Sequence, residues 1–218
     1  MDEAINNNYA EISGTLVQGP CLSHESRGEQ FFKAAVAVQR LSGTDDILNV
    51  LIREKLLHGL TLKEREHLHI FGQLRSFNNK SGEGAKLVVS LFARDIIAEA
   101  CEERNDILLR GTICKPPTLR KTPLGREISD FMLAINRKYG RSDYIPCIAW
   151  GQNARAIAAK PVGTTLTVSG RFQSRQYIKI IDGIPHDRTA YEISVSYAET
   201  VENMEDAAYS TNTGTFGL

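Results

Sequence analysis

The 218-residue chain is 42% hydrophobic and 24% charged, the make-up of a globular protein with room for two domains of about 100 residues. No run approaches the ~20 apolar residues of a membrane helix, and the acidic start Met1-Asp2-Glu3-Ala4 is unlike a secretory signal. Cys21, Cys101, Cys114 and Cys147 form no C-x-x-C pair, which argues against zinc and fits reduced thiols in a cytosol. The balanced charge is unevenly spread: residues 1–104 hold 12 Lys/Arg and 15 Asp/Glu, residues 105–198 hold 14 and 7, and Glu199, Glu202, Glu205 and Asp206 make the end acidic. A locally basic half suggests a polyanionic partner for that half, and a solvated surface gives the same pattern.

Taken in chain order, the predicted elements repeat once, at an offset near 97 residues. Ile12-Ser13-Gly14-Thr15-Leu16 answers Leu109-Arg110-Gly111-Thr112-Ile113, and Ala37-Val38-Gln39-Arg40 answers Ala134-Ile135-Asn136-Arg137. The run from Asp46 to Ile52 answers that from Asp143 to Ala149, and Leu68 to Gln73 answers Leu166 to Arg171. A period of this length is a duplicated domain rather than a solenoid. In the first copy a helical window lies near residues 54–60; Thr61-x-x-Glu64 fits a capping box, while the repeat alignment puts it in the turn before strand four. The polar residues 99–105 link the halves. In the second copy, residues 106–114 and 127–136 are β-favouring runs separated by Lys115-Pro116-Pro117 and Thr122-Pro123-Leu124-Gly125. Residues 144–150 form a third strand, residues 152–160 a helix stopped by Pro161 and Gly163, residues 164–177 a long fourth strand, Asp182-Gly183 a turn and residues 189–198 a fifth strand.

Three strands, a short helix and two strands is the order of an OB fold. The expected architecture is therefore all-β: two tandem OB folds, each a five-stranded Greek-key barrel with a short helix between strands three and four. The first spans residues 1–102, the second 103–200, and residues 201–218 read as a flexible tail.

Period-2 alternation puts Tyr144, Pro146, Ile148 and Trp150 on one face of the third strand, and the small residues opposite suit a barrel interior, so the rings point outward. Arg171, Gln173, Arg175 and Tyr177 share a face of the fourth strand, and Tyr139 stands beside Arg137, Lys138 and Arg141 at a turn. Rings interleaved with cations suit single-stranded nucleic acid: any base stacks on a ring, and Lys or Arg neutralises phosphate. Sequence preference should be weak, since such contacts read no base edges. Each residue also has a structural alternative: Trp150 as a core anchor, Tyr144 as a plug in the barrel mouth, Tyr177 as a cap on an exposed hairpin, and Arg171 and Arg175 as a solvated face. The five histidines form no H-E-x-x-H, there is no G-x-S-x-G or phosphate-cradling glycine loop, and Asp45-Asp46 reads as a solvated turn pair, so nothing points to an enzyme.

The segment Asp143-Tyr144-Ile145-Pro146-Cys147-Ile148-Ala149-Trp150-Gly151 resembles the third strand of bacterial single-stranded DNA-binding proteins. Gly170-Arg171-Phe172-Gln173-Ser174-Arg175-Gln176-Tyr177 resembles their Gly-x-Leu-x-Thr-Arg-x-Trp segment, and Gly111-Thr112-Ile113 with Pro117, Leu119 and Arg120 resembles their first strand and turn. The resemblance covers about residues 100–199. It implies non-catalytic binding of single-stranded DNA in replication, repair or recombination, with no cofactor and no metal. It implies bases stacked on Tyr139, Tyr144, Trp150 and Tyr177, and phosphates met by Arg120, Arg137, Lys138, Arg141, Arg171, Arg175 and Lys179. It also implies a homodimer presenting four OB folds, in the cytoplasm with the nucleoid and away from membranes. RNA would stack on the same rings. Two departures stand out. The first fold carries Ser42, Ile47, Arg53 and Asn79 at the stacking positions and keeps only Arg53, Arg75 and Phe77 for weak contacts, so it binds DNA weakly or serves assembly. The chain also ends Gly-Thr-Phe-Gly-Leu rather than in the family's partner-recruiting tip. The competing expectation is an OB-fold assembly module, resembling primosomal accessory proteins, whose main contacts are protein.

Overall fold

The computed structural model describes residues 7–79, 85–99, 101–137 and 140–201. The first copy contains β1 (Asn8–Ser26), β2 (Glu29–Gln39), β3 (Asp45–Arg53), α1 (Glu54–Leu57), β4 (His67–Asn78) and β5 (Leu87–Ala98). The second contains β6 (Arg104–Ile113), β7 (Thr118–Lys121), β8 (Glu127–Asn136), β9 (Ser142–Trp150), α2 (Gly151–Ala158), β10 (Thr165–Ile181) and β11 (Ile184–Thr200).

Alternation drives barrel closure. In β3, Leu48, Val50 and Ile52 are buried while their neighbours in sequence are partly or wholly exposed, the pattern of a strand with one face on a core. β1 pairs with β2 and β4, β2 with β3, β3 with β5 in parallel, and β5 with β4, which closes five strands into a barrel. β6, β8, β9, β11 and β10 close the second barrel in the same order, with β7 added beside β8. The helices are short plugs: Ala154 and Ile157 of α2 are buried, and Leu56 and Leu57 of α1 pack on the first core. The segment from Thr61 to Glu64 lies in the turn before β4 and not at a helix start. No helix among the described residues is long and apolar enough to cross a membrane.

Close backbone approach explains two matched glycine pairs. A Cβ on Gly72 would stand 2.3 Å from the carbonyl oxygen of Phe92, and one on Gly170 would stand 2.2 Å from that of Ser194. Both follow register shifts, between Phe71 and Gly72 and between Ser169 and Gly170, where the strand bends to close the barrel. Gly14 and Gly111 meet the carbonyls of Ala37 and Ala134 in the same way.

The barrels join by antiparallel pairing of β1 with β6, from Asn8↔Leu109 to Ser13↔Arg104. Moving each partner by the repeat offset turns Asn8↔Leu109 into Asn105↔Ile12, which is also a pair of the ladder. The joint is therefore a two-fold axis in all but sequence. A second layer of contacts obeys it. Fully buried Asp46 accepts from Arg40 at 2.8 and 2.5 Å, from Arg171 at 3.3 Å and from the Ser174 N–H at 2.8 Å. Fully buried Asp143 accepts from Arg137, from Arg75 at 2.8 Å and from the Ser76 N–H at 2.6 Å. The Ile47 N–H donates to Ser174 Oγ at 3.0 Å, and the Tyr144 N–H to Ser76 Oγ at 2.7 Å. The expectation of a solvated Asp45-Asp46 pair is thus corrected for Asp46. Its carboxylate enters the joint because two guanidiniums and a backbone N–H satisfy it there, which offsets the desolvation.

Candidate nucleic-acid interface

β9 delivers two rings to the surface. Tyr144 is 46% and Trp150 38% exposed, while Ile145, Cys147 and Ala149 between them are buried. Burial also pushes the Cys147 thiol pKa up, so the thiol is inert. The backbone at Trp150 is still extended, at φ −123° and ψ 145°, and Gly151 then turns the chain into α2 with φ 56°. A glycine after the ring is what this turn needs, because a side chain at positive φ is strained. The indole is held by its Nε1–H, which donates to Ser194 Oγ at 3.1 Å.

Trp150 divides two open clefts. One, of about 530 Å³, is lined by Lys121, Gly125, Arg126, Glu127, Gly151 and Arg155 as well as the indole. The other, of about 390 Å³, is lined by Arg40, Arg171, Gln173, Ser194, Val195 and Ser196, and so reaches from the second barrel to the first. Lys121, Arg126 and Arg155 were not among the expected site residues. The clustering of Arg120, Lys121 and Arg126 around one turn was the available signal for the first two, whereas Arg155 reaches the cleft only through the helix, where it pairs with Glu127.

The fourth-strand face is less free than alternation suggests. Gln173 is buried and donates to Glu192 Oε1 at 2.9 Å, and Arg175 stands 3.5 Å from the same oxygen. The Arg175 guanidinium also lies 5.6 Å from the centre of the Tyr177 ring, a cation–π contact that holds the ring beside the strand. Arg171, Arg137 and Arg75 are engaged with the joint carboxylates, and burial pushes the Arg75 pKa down despite its pairing with Asp143. Arg120 pairs with Asp130. Arg141 and Lys179 are exposed. Lys138 and Tyr139 lie outside the described residues, as does the expected tail beyond Val201. In the first barrel Phe77 is 50% exposed and Arg53 half-buried. The joint contacts were readable in part: the Arg–Asp spacing of six recurs at Arg40/Asp46 and Arg137/Asp143.

Chemically, an exposed indole and phenol on one strand, bordered by clefts carrying Arg and Lys, suit a flexible polyanion with planar groups. Residues 104–203 match the family model described as the single-strand binding protein family. The chain is 35% identical over 80 residues to the single-stranded DNA-binding protein A of Bacillus subtilis, a match covering 34% of this chain and 46% of that one. It is also 35% identical over 81 residues to the single-stranded DNA-binding protein 1 of Lactococcus lactis, covering 34% of this chain and 53% of that one. The chain thus spans about half the length of the curated relatives it matches. In fold it is similar to the wild-type single-stranded DNA binding protein from Thermus aquaticus, at a TM-score of 0.73 and 19% identity over 90% of this chain and 93% of that one.

Proposed function

We propose, from the premise that residues 104–203 form a domain of the single-strand binding protein family, that this chain binds single-stranded DNA without regard to base sequence and without catalysis, in replication, repair and recombination. The relatives are named as binding proteins, which supports this reading. The observation that carries it is Trp150, a half-exposed indole fixed at a strand end between two clefts bearing cations. Bases stack on Trp150, Tyr144 and Tyr177, and Tyr139 is the fourth stacking ring that the family resemblance implies. Phosphates meet Arg175, Lys179, Arg141 and Lys138, and the clefts add Lys121 and Arg126. Arg137 and Arg171 serve the joint first, and Arg120 its pair with Asp130. Two chains associate to present four barrels, in the cytoplasm and with the nucleoid.

Titration of the sole Trp with oligo-dT tests the proposal directly. Saturable quenching that weakens with added salt is expected; no quenching and no binding at low salt overturns it. Tyr144→Ala with Trp150→Ala should lower affinity by about 2–6 kcal/mol, one stacked base per ring. Arg175→Ala should flatten the salt slope by about one unit. A second reading, an assembly module with weak nucleic-acid binding, is favoured by the apolar end of the β10–β11 arm, where Ile178, Ile180 and Ile184 are 66%, 71% and 59% exposed. It gains only if the titration fails.

A further inference from the structure

The two barrels can be compared row by row, because their strand registers match. In the second barrel Ile128 of β8 pairs with Trp150 of β9, and Ser194 of β11, which pairs with Ile148, holds the indole. The same row in the first barrel holds Phe31 of β2, paired with Arg53 of β3, and Phe92 of β5, paired with Leu51. Aliphatic, ring, hydroxyl in one copy has become ring, cation, ring in the other. The four stacking positions of the first barrel carry no aromatic residue, but rings stand on the strands on either side: Phe31 is half-buried, and Phe92, only 9% exposed, lies beneath the Arg53 guanidinium.

These rings form a connected strip. The Arg53 guanidinium lies 5.1 Å from the centre of the Phe92 ring and that of Arg94 lies 5.9 Å from it. The Phe31 ring is 6.4 Å from Phe92, and exposed His24 stacks on Phe31 at 4.8 Å with 4° between the planes. Among the described residues, Arg53 Nε is buried without a hydrogen bond, and the carboxylate of Glu29 stands 3.6 Å away. A guanidinium is flat, weakly hydrated and able to stack on a base while a ring backs it.

We propose that His24, Phe31, Arg53 and Arg94 form a second base-stacking platform for single-stranded DNA, with the Arg53 plane, backed by the buried Phe92 ring, taking the place of the indole. This rests on the reading of the chain as a single-stranded DNA-binding protein. The first barrel is then a working binding surface of altered design, and a strand long enough to leave Trp150 continues onto it.

Anisotropy of labelled dT oligomers of increasing length, with the full chain, tests this. In the unaltered chain affinity should rise with length beyond what one barrel accommodates. Arg53→Ala with Arg94→Ala should leave short oligomers bound as before and lose roughly tenfold in affinity for long ones, the worth of about one stacked base. Arg53→Lys, which keeps the charge without the plane, should not restore the loss; full restoration overturns the stacking role. As an independent reporter, Phe31→Trp with Trp150→Phe moves the only indole onto the strip, and long dT should quench it. If the unaltered chain binds no dT at any length, the functional reading itself fails. If it binds and gains with length, yet the arginine variants keep that gain and the indole at 31 is not quenched, this proposal alone fails.

Discussion

Asp143 opens the segment that resembles the family's third strand, yet its carboxylate points into the joint and meets Arg137, Arg75 and the Ser76 N–H. Asp143→Ala would leave two half-buried guanidiniums without their partner. Such a break typically costs about 3–5 kcal/mol, to be read as a shift in the denaturant midpoint. Glu11 gives a pH dependence. Burial pushes its pKa up, but hydrogen bonds from Tyr9 and His69 and the charge of Arg104 outweigh that, so the carboxyl is held below its ordinary 4.5. Its contribution to stability is present above that value and is lost as pH falls through the lowered pKa. Tyr9 works at the other end. Its hydrogen bond to Glu11, with burial, pushes the phenol from 10.0 up to about 12, so the folded state holds that proton more tightly. That contribution is present below pH 10 and is lost as pH rises toward the folded value. Guanidinium midpoints measured against pH should therefore fall at both ends, and Glu11→Gln with Tyr9→Phe should fall less at each.

Among the elements, β10 and β11 carry the sharpest backbone constraint. Gly170→Ala would force a methyl to 2.2 Å from the Ser194 carbonyl, whereas Gly163→Ala, with open space around it, pays only for its φ of 96°. The first change should cost more than the ~1–3 kcal/mol of ordinary overpacking, the second about 1 kcal/mol, and thermal melts of the two variants should rank them so. Much of this architecture was legible in the residues. The repeat, the strand order and the window of α2 follow from apolar alternation and from Pro161 and Gly163. Other features were not. The fourth strand runs to Ile181 rather than Tyr177, and the fifth starts at Ile184 rather than at 189, because Asp182 and Gly183, both at positive φ, close a tight hairpin. Among the described residues that arm pairs only with itself, so no core-facing alternation announces it. β7 is a short, exposed strand between prolines and left no apolar signature. The outward rings of β9 were legible for the same reason as the core: period two. Which arginine meets which carboxylate was not, since Arg75 and Asp143 lie in different barrels. The rings beside Arg53 left no such signal, because Phe31 and Phe92 sit on the strands flanking that position rather than on β3 itself.

At the scale of the whole molecule, a continuous ladder and two buried carboxylates join the barrels, which predicts one cooperative unfolding transition. Trp150 fluorescence reports only the second barrel and far-ultraviolet circular dichroism both, so the two curves should coincide in denaturant; separate midpoints would mean that the barrels unfold independently. The two-fold relation across β1 and β6 has a further consequence. Two identical barrels about such an axis would look the same to a strand laid across them in either direction. Here one side carries an indole and the other a guanidinium beside rings, so the molecule has a front and a back, and the two directions across it are no longer equivalent.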